Sequence, residues 1–247
     1  MSTLVLALLA GTVIGMALGA LGGGGSVLAV PALIYLLGFS AASATTASLV
    51  IVTATSATAL YAHARDGHVA WKAGALFAAA GVVPAFLAGA TAGHVPETAL
   101  TAAFAVIAAL AALRMLRPAA AGAAEGVRPA KAAGAGAGLG AVTGFLGVGG
   151  GFLAVPALVG VLGLQMRRAV GTSLLVITVN SVAALGARSG TGGDLRWEVI
   201  APFAGAAILG AWDGKRLAAK VAGATLQRVF AFTLLAVAAF MAIDVIA

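Results

Sequence analysis

The chain has 247 residues, of which 62% are hydrophobic and 9% charged, with a mean hydropathy of +1.12. A soluble globule carries about 25% charged residues to keep its surface wet, so this composition excludes a water-soluble enzyme or binding module and implies an all-α polytopic membrane protein. The net charge of +7 does not indicate nucleic acid as a partner, because the basic residues are scattered between apolar segments, as they are in membrane-protein loops.

From the N-terminus, residues 4–37 form one apolar stretch. As a single helix it would be about 50 Å long, against a bilayer core of about 30 Å. It contains the string GGGGSVLAVP (Gly22–Pro31), so the helix is expected to break at the glycines and return as a hairpin. This segment lacks a basic n-region and reads as retained rather than as a cleaved signal. Three ordinary spans follow at 41–62, 73–92 and 97–116, each near the ~20 residues a bilayer requires. The polar, Pro/Gly-punctuated string RPAAAGAAEGVRPAK (Arg117–Lys131) reads as a linker. It divides the chain into an N-terminal repeat (1–117), a cytoplasmic linker (118–133) and a C-terminal repeat (134–247). The second half begins with another expected hairpin, 134–163, containing GVGGGFLAVP (Gly147–Pro156). Spans at 168–188, 197–214 and 222–243 complete it.

The halves are copies. Gly19–Leu60 and Gly144–Leu185 align without a gap at 20 identities in 42 positions, among them Gly22/Gly147, Pro31/Pro156, Gly38/Gly163, Ser48/Ser173 and Thr53/Thr178. Equivalent loops carry opposite charge. Arg65 and Lys72 occupy the 62–72 loop, whereas 38–44 and 90–97 have no basic residue; in the second half Arg167, Arg168, Lys215, Arg216 and Lys220 occupy the counterparts of those empty loops. Under the positive-inside rule this is the mark of inverted-topology repeats. Three full spans plus a glycine-tipped hairpin supply the odd number of reversals that inversion needs. Loops 62–72, 114–131 and 163–168 are then cytoplasmic, and both termini face outward.

A hairpin tip inside the bilayer exposes backbone N–H groups, which is tolerable only within protein or beside a polar cavity. The arm after each tip starts at a helix N-terminus, where free N–H donors and the helix dipole attract anions. Two such breaks in corresponding halves are the strongest sequence pointer to a transporter's midplane site. The candidate substrate-binding residues are therefore Gly22, Gly24, Gly25 and Ser26 at one tip and Gly149, Gly150 and Gly151 at the other. Polar residues of the following helices join them: Thr46, Ser48, Thr172, Ser173 and Asn180, with Thr45, Thr53, Thr55, Ser56, Thr178 and Ser181 nearby. Hydroxyls and an amide can bind anion oxygens without a buried fixed cation. His63, His68 and His94 lie at span ends and read as interfacial. Asp213 reads as an interfacial ion-pair partner of Lys215 and Arg216, and Trp71, Trp197 and Trp212 as belt residues.

The strings GFLGVGGGFLAVPAL and AVGTSLLVI (Ala169–Ile177), with the first-half copies GALGGGGSVLAVPAL and ATTASLVIV, resemble the sulfite exporter TauE/SafE family over almost the whole chain. That resemblance implies export or uptake of sulfite, sulfonates or related organosulfur anions across a bacterial inner membrane. The first half departs from the pattern, with Thr46-Ala47-Ser48 opposite Gly171-Thr172-Ser173.

The reading is a secondary transporter of small anions, with substrate between the two glycine breaks. A passive anion channel shares every one of these features. An intramembrane enzyme would need paired carboxylates, a His-rich metal set or a Ser–His arrangement, and none occurs mid-span. Absence of cysteine excludes thiolate metal sites, and no cofactor is expected. The partners are a small anion and the lipid bilayer; proton or ion coupling and homo-oligomerisation are left open.

Overall fold

The break in the first apolar stretch is where the fold departs from a simple bundle. The computed structural model describes residues 2–92, 97–116, 129–146, 151–187 and 195–246, and contains helices but no strand among them. Helix α1 spans Ser2–Leu21 and α2 spans Gly24–Pro31. Between them Gly22 adopts φ +72°, a left-handed conformation that a side chain disfavours, and its N–H donates to the Leu18 carbonyl at 2.8 Å. Pro31 then lacks an N–H to continue the α ladder, and the chain runs on as a π-helical turn, Ala32–Leu36.

Both short arms end alike. Gly38 has φ +65° and the Phe39 N–H donates to Leu33 O at 3.0 Å; at the equivalent positions Gly163 has φ +64° and the Leu164 N–H donates to Leu158 O at 3.1 Å. These are paired helix ends closed by a left-handed glycine, so the repeat extends to backbone conformation.

The remaining helices are α3 (Ala41–Arg65), α4 (Trp71–Ala92), α5 (Glu97–Leu116), α6 (Pro129–Leu146), α7 (Gly151–Gly160), α8 (Met166–Ala187), α9 (Trp197–Ala219) and α10 (Gly223–Ile246). Each of the six ordinary spans falls on one of them. Ser40 caps α3 by accepting from the Ser43 N–H at 3.3 Å. Helix α6 opens on Pro129, where a missing N–H costs nothing, inside the stretch read as a linker. Segments Thr3–Leu21, Ser43–Arg65, Met166–Gly186 and Gly223–Ile243 are long and apolar enough to cross a membrane. Leu9, Phe86, Leu209 and Phe232 stand exposed on the outside, and lipid is the solvent that covers such a surface.

The halves exchange arms. Gly11, Gly15 and Gly19 of α1 fit against Phe203, Ala207 and Ala211 of α9, and Gly136 and Gly140 of α6 fit against Phe77 and Gly81 of α4. These are repeat-equivalent contacts. In both pairs the numbers rise together, so the helices run parallel. A Cβ at Gly15 or Gly140 would run into a backbone carbonyl of the partner helix. Lipid tails are as apolar as the helices, so close van der Waals packing over small residues holds such a pair together. Helices α3 and α8 cross at the centre in the opposite sense. Ser56 meets Thr178 while His63 lies beside Gly171, so these two equivalent helices are antiparallel.

One end of the bundle gathers cations. The end of α3, the start of α8 and the end of α9 meet there, with Lys215 bonded to Asp66 at 2.7 Å and Arg167 donating to the Ala219 carbonyl at 2.8 Å. Gln227, in the first turns of α10, donates to Met115 O at 2.6 Å, which brings the last turn of α5 to the same end. At the opposite end Arg196 donates to Leu37 O at 2.6 Å and stacks 4.1 Å over the Phe39 ring.

Candidate functional site

Gly22, at the first break, packs against Ser173 of the other half: a Cβ there would strike Ser173 Oγ and come within 3.2 Å of Val155. Ser173 is seven residues into α8, about 10 Å from its start. The break therefore lies toward the basic end instead of at the middle of the bundle. The reason is length, since the 20 residues of α1 already extend about 30 Å before the chain turns. Gly24, Gly25 and Ser26 are not at the turn itself but in the first turn of α2, and Gly151 opens α7. Gly149 and Gly150 lie outside the described residues, as does His94.

The hydroxyls divide into committed and free. Thr172 is fully buried; its Oγ1 donates to Arg168 O at 2.6 Å and accepts from the Ala70 N–H at 2.9 Å. It thereby ties the start of α4 to α8. Ser173 and its counterpart Ser48 each donate to a carbonyl three residues back, Val170 O and Thr45 O, both at 2.8 Å. This is the local back-bonding common for serine in helices. Thr46 is buried in α3.

A second group lies where α3 and α8 cross, midway along both. A hydrogen bond of 2.9 Å joins the hydroxyls of Ser56 and Thr178, each of which also meets a carbonyl of its own helix, Thr53 O and Leu174 O. Thr53 and Ser181, the repeat mates of Thr178 and Ser56, make no such bond. Thr53 Oγ1, Ser181 Oγ and the Oδ1 of neighbouring Asn180 are buried and find no hydrogen-bond partner among the described residues. Asn180 is the one candidate substrate-binding residue in this group, whose other members were expected nearby; the structure places Gly22 and Ser173 together near the basic end and Ser48 toward the other.

The basic end holds what the sequence reading left at the interface. His63 is 5% exposed, and its Nε2 lies 3.2 Å from the Gly19 carbonyl of α1. The His68 ring is 6.3 Å away, centroid to centroid. Lys215 donates to the Ala62 carbonyl at 2.5 Å as well as pairing with Asp66; this neighbour holds the Asp66 carboxyl below its ordinary range. Asp213 pairs with Arg216 at 3.4 Å on the surface, and the three tryptophans are exposed. His63 escaped the sequence reading because its partner lies 44 residues away; a histidine one turn from the end of an apolar span was the available signal.

The model of the family described as "Sulfite exporter TauE/SafE" matches residues 7–241. A probable membrane transporter protein from Xylella fastidiosa strain Temecula1 is 34% identical over 249 residues, covering 97% of this chain and 95% of its own. One from strain 9a5c of the same species is 34% identical over 251 residues with the same coverage. No solved structure matches the chain.

Proposed function

This chain belongs to the sulfite exporter TauE/SafE family of membrane transporters, and from that premise we propose that it is a secondary carrier of small anions, namely sulfite, sulfonates or related organosulfur anions, in a bacterial inner membrane. The observation that carries the reading is the α3/α8 crossing. Polar atoms buried without partners are expensive in the interior of a membrane protein. Thr53, Asn180 and Ser181 are thus poised to hydrogen-bond something that comes and goes. An anion passing between the first glycine break and the opposite end of the bundle meets these groups midway.

Rocking of the two halves about this crossing would give alternating access. Support comes from the antiparallel setting of α3 and α8, which an inverted repeat requires, and from the cations collected at one end, which the positive-inside rule assigns to the cytoplasm. The chain has no cysteine, so single cysteines at Ala42 and Gln165 can be labelled cleanly; they are expected to react from opposite sides of the membrane. In proteoliposomes, a panel of sulfur oxyanions is expected to yield uphill accumulation of one anion under an imposed gradient. Flux that only dissipates the anion's own gradient would identify a channel instead.

A further inference from the structure

Beside the first break, α1, α3, α8, α9 and α10 line a half-open cavity of about 30 Å³, whose walls include His63, Asp66, His68, Arg167, Val170 and Lys215. That is room for about two water molecules or the head of a small oxyanion. Val170 also lies 3.4 Å from where a Gly22 Cβ would be, so cavity and break share a wall.

The hydrogen bonding of His63 fixes its tautomer. Its Nε2 faces the Gly19 carbonyl, which can only accept, so Nε2 carries the hydrogen and Nδ1 keeps a lone pair. That Nδ1 is buried and has no hydrogen-bond partner among the described residues. As it stands it can accept a proton but cannot donate to an anion. Once protonated it becomes a donor, and the ring keeps its bond to Gly19.

The surrounding charges make proton and anion depend on each other. The groups facing His63 are Lys215 from α9, Arg167 from α8, and Asp66 and His68 from the turn after α3. Two cations and one carboxylate leave one net positive charge before either histidine is protonated. Both cations are held by the fold, Lys215 on Asp66 and Ala62 O, Arg167 on Ala219 O and Val221 O. A proton on His63 alone is repelled by that charge. An anion in the cavity cancels it, so the ring holds its proton when the anion is bound. By linkage each ligand raises the affinity of the other by the same factor.

We propose that this cavity binds a small anion together with one proton carried on His63 Nδ1, making the chain a proton–anion symporter. The proposal rests on the anion-carrier reading above. The proton comes from the solvent on the side to which the cavity is open, and leaves with the anion on the other side. No covalent bond changes. Gly19 belongs to the arm that ends at the break, so movement of this arm alters the His63 contact directly.

The test uses the full chain in proteoliposomes at about pH 8 inside and about pH 6 outside, bracketing the ordinary histidine range, with labelled sulfite, methanesulfonate or sulfate outside and protein-free liposomes subtracting leak. Wild type is expected to accumulate one of these anions in proportion to the pH gradient. His63→Gln, whose amide can still donate to Gly19 O but cannot take a proton, is expected to lose that accumulation by about tenfold or more, in the range of ordinary site–site coupling. Its anion exchange at equal pH should fall far less than its coupled accumulation. Thr233→Val, outside the cavity lining, should keep both. Wild-type transport indifferent to the pH gradient overturns the symport on its own, whatever the variants do, while leaving the carrier reading intact. Coupled accumulation by His63→Gln overturns the assignment to His63. So does loss of exchange along with coupling, which would make His63 a strut between α1 and α3. Transport of none of the anions ends both readings.

Discussion

The halves meet in two kinds of interface, and they are built on opposite principles. Where α1 lies along α9, and α6 along α4, glycines admit the partner's backbone until no side chain separates them. Where α3 crosses α8, the Ser56 and Thr178 hydroxyls bond across the seam, while those of their repeat mates Ser181 and Thr53 have no hydrogen-bond partner among the described residues. The first kind has no room for an added side chain at the notched positions. The second has buried polar atoms to spare. A carrier needs both, a rigid unit that moves as one piece and a seam whose bonds can be exchanged for those of a ligand.

The sharpest way to break this contrast is to add a side chain to the tight interface. Gly15→Leu places carbon against the Ala207 carbonyl, where no side chain can rotate away. Overpacking costs about 1–3 kcal/mol even when neighbours adjust, so loss of monodisperse protein after extraction is expected by size-exclusion chromatography. Gly138→Leu meets open space and should behave as wild type. Equal behaviour of the two variants would show that the α1/α9 contact is not rigid.

Thr172→Val comes next. It strips the Ala70 N–H of its acceptor, and an unmade buried hydrogen bond costs about 1–3 kcal/mol. A lowered Tm with unchanged anion affinity is the expected result; weakened binding at unchanged Tm would return Thr172 to the substrate site. Ser181→Ala should do the reverse. Its hydroxyl has no hydrogen-bond partner to lose among the described residues, so stability should hold or rise slightly while transport falls about tenfold, the cost of about one hydrogen bond to a charged group. Unaltered transport would remove Ser181 from the path.

The smallest effect lies outside both interfaces. Lys215 depresses the Asp66 carboxyl in the folded state, so this pair's stabilisation is present above the unfolded carboxyl's range and is lost as pH falls through the lower folded value. The Asp66 side chain is 47% exposed, and exposed pairs contribute about 1 kcal/mol or less. Asp66→Asn should flatten the acid limb of a Tm–pH curve by no more than that, and a larger change would indicate a buried role for the pair.

The six spans and the glycine break were readable because apolar length and a run of glycines are local signals. Which glycine turns was not: four in a row are alike on paper, and packing against Ser173 selects Gly22, two residues before Gly24. Gly11, Gly15 and Gly19 looked like ordinary members of an apolar helix until α9 was laid beside them. Thr172 looked like lining because a hydroxyl's partner cannot be read when it is a backbone N–H 102 residues away. The repeat itself marked Thr53, Ser56, Thr178 and Ser181 as equivalent pairs, yet only their three-dimensional crossing shows one pair bonded and the other not.

The exchanged arms also set an order of maturation on the ribosome. When α6 emerges, α4 has already been made, and their glycine contact can close at once. Helix α1 has no such partner waiting, since Phe203, which receives Gly11, is made about 190 residues later. At translation rates of about 5–20 residues per second, the notched face of α1 stays uncovered for roughly 10–40 s. Two interfaces that are equivalent in the finished protein thus have different histories. Helix α1 enters the membrane long before it can find its place, and whatever inserts this chain must shelter it until α9 arrives.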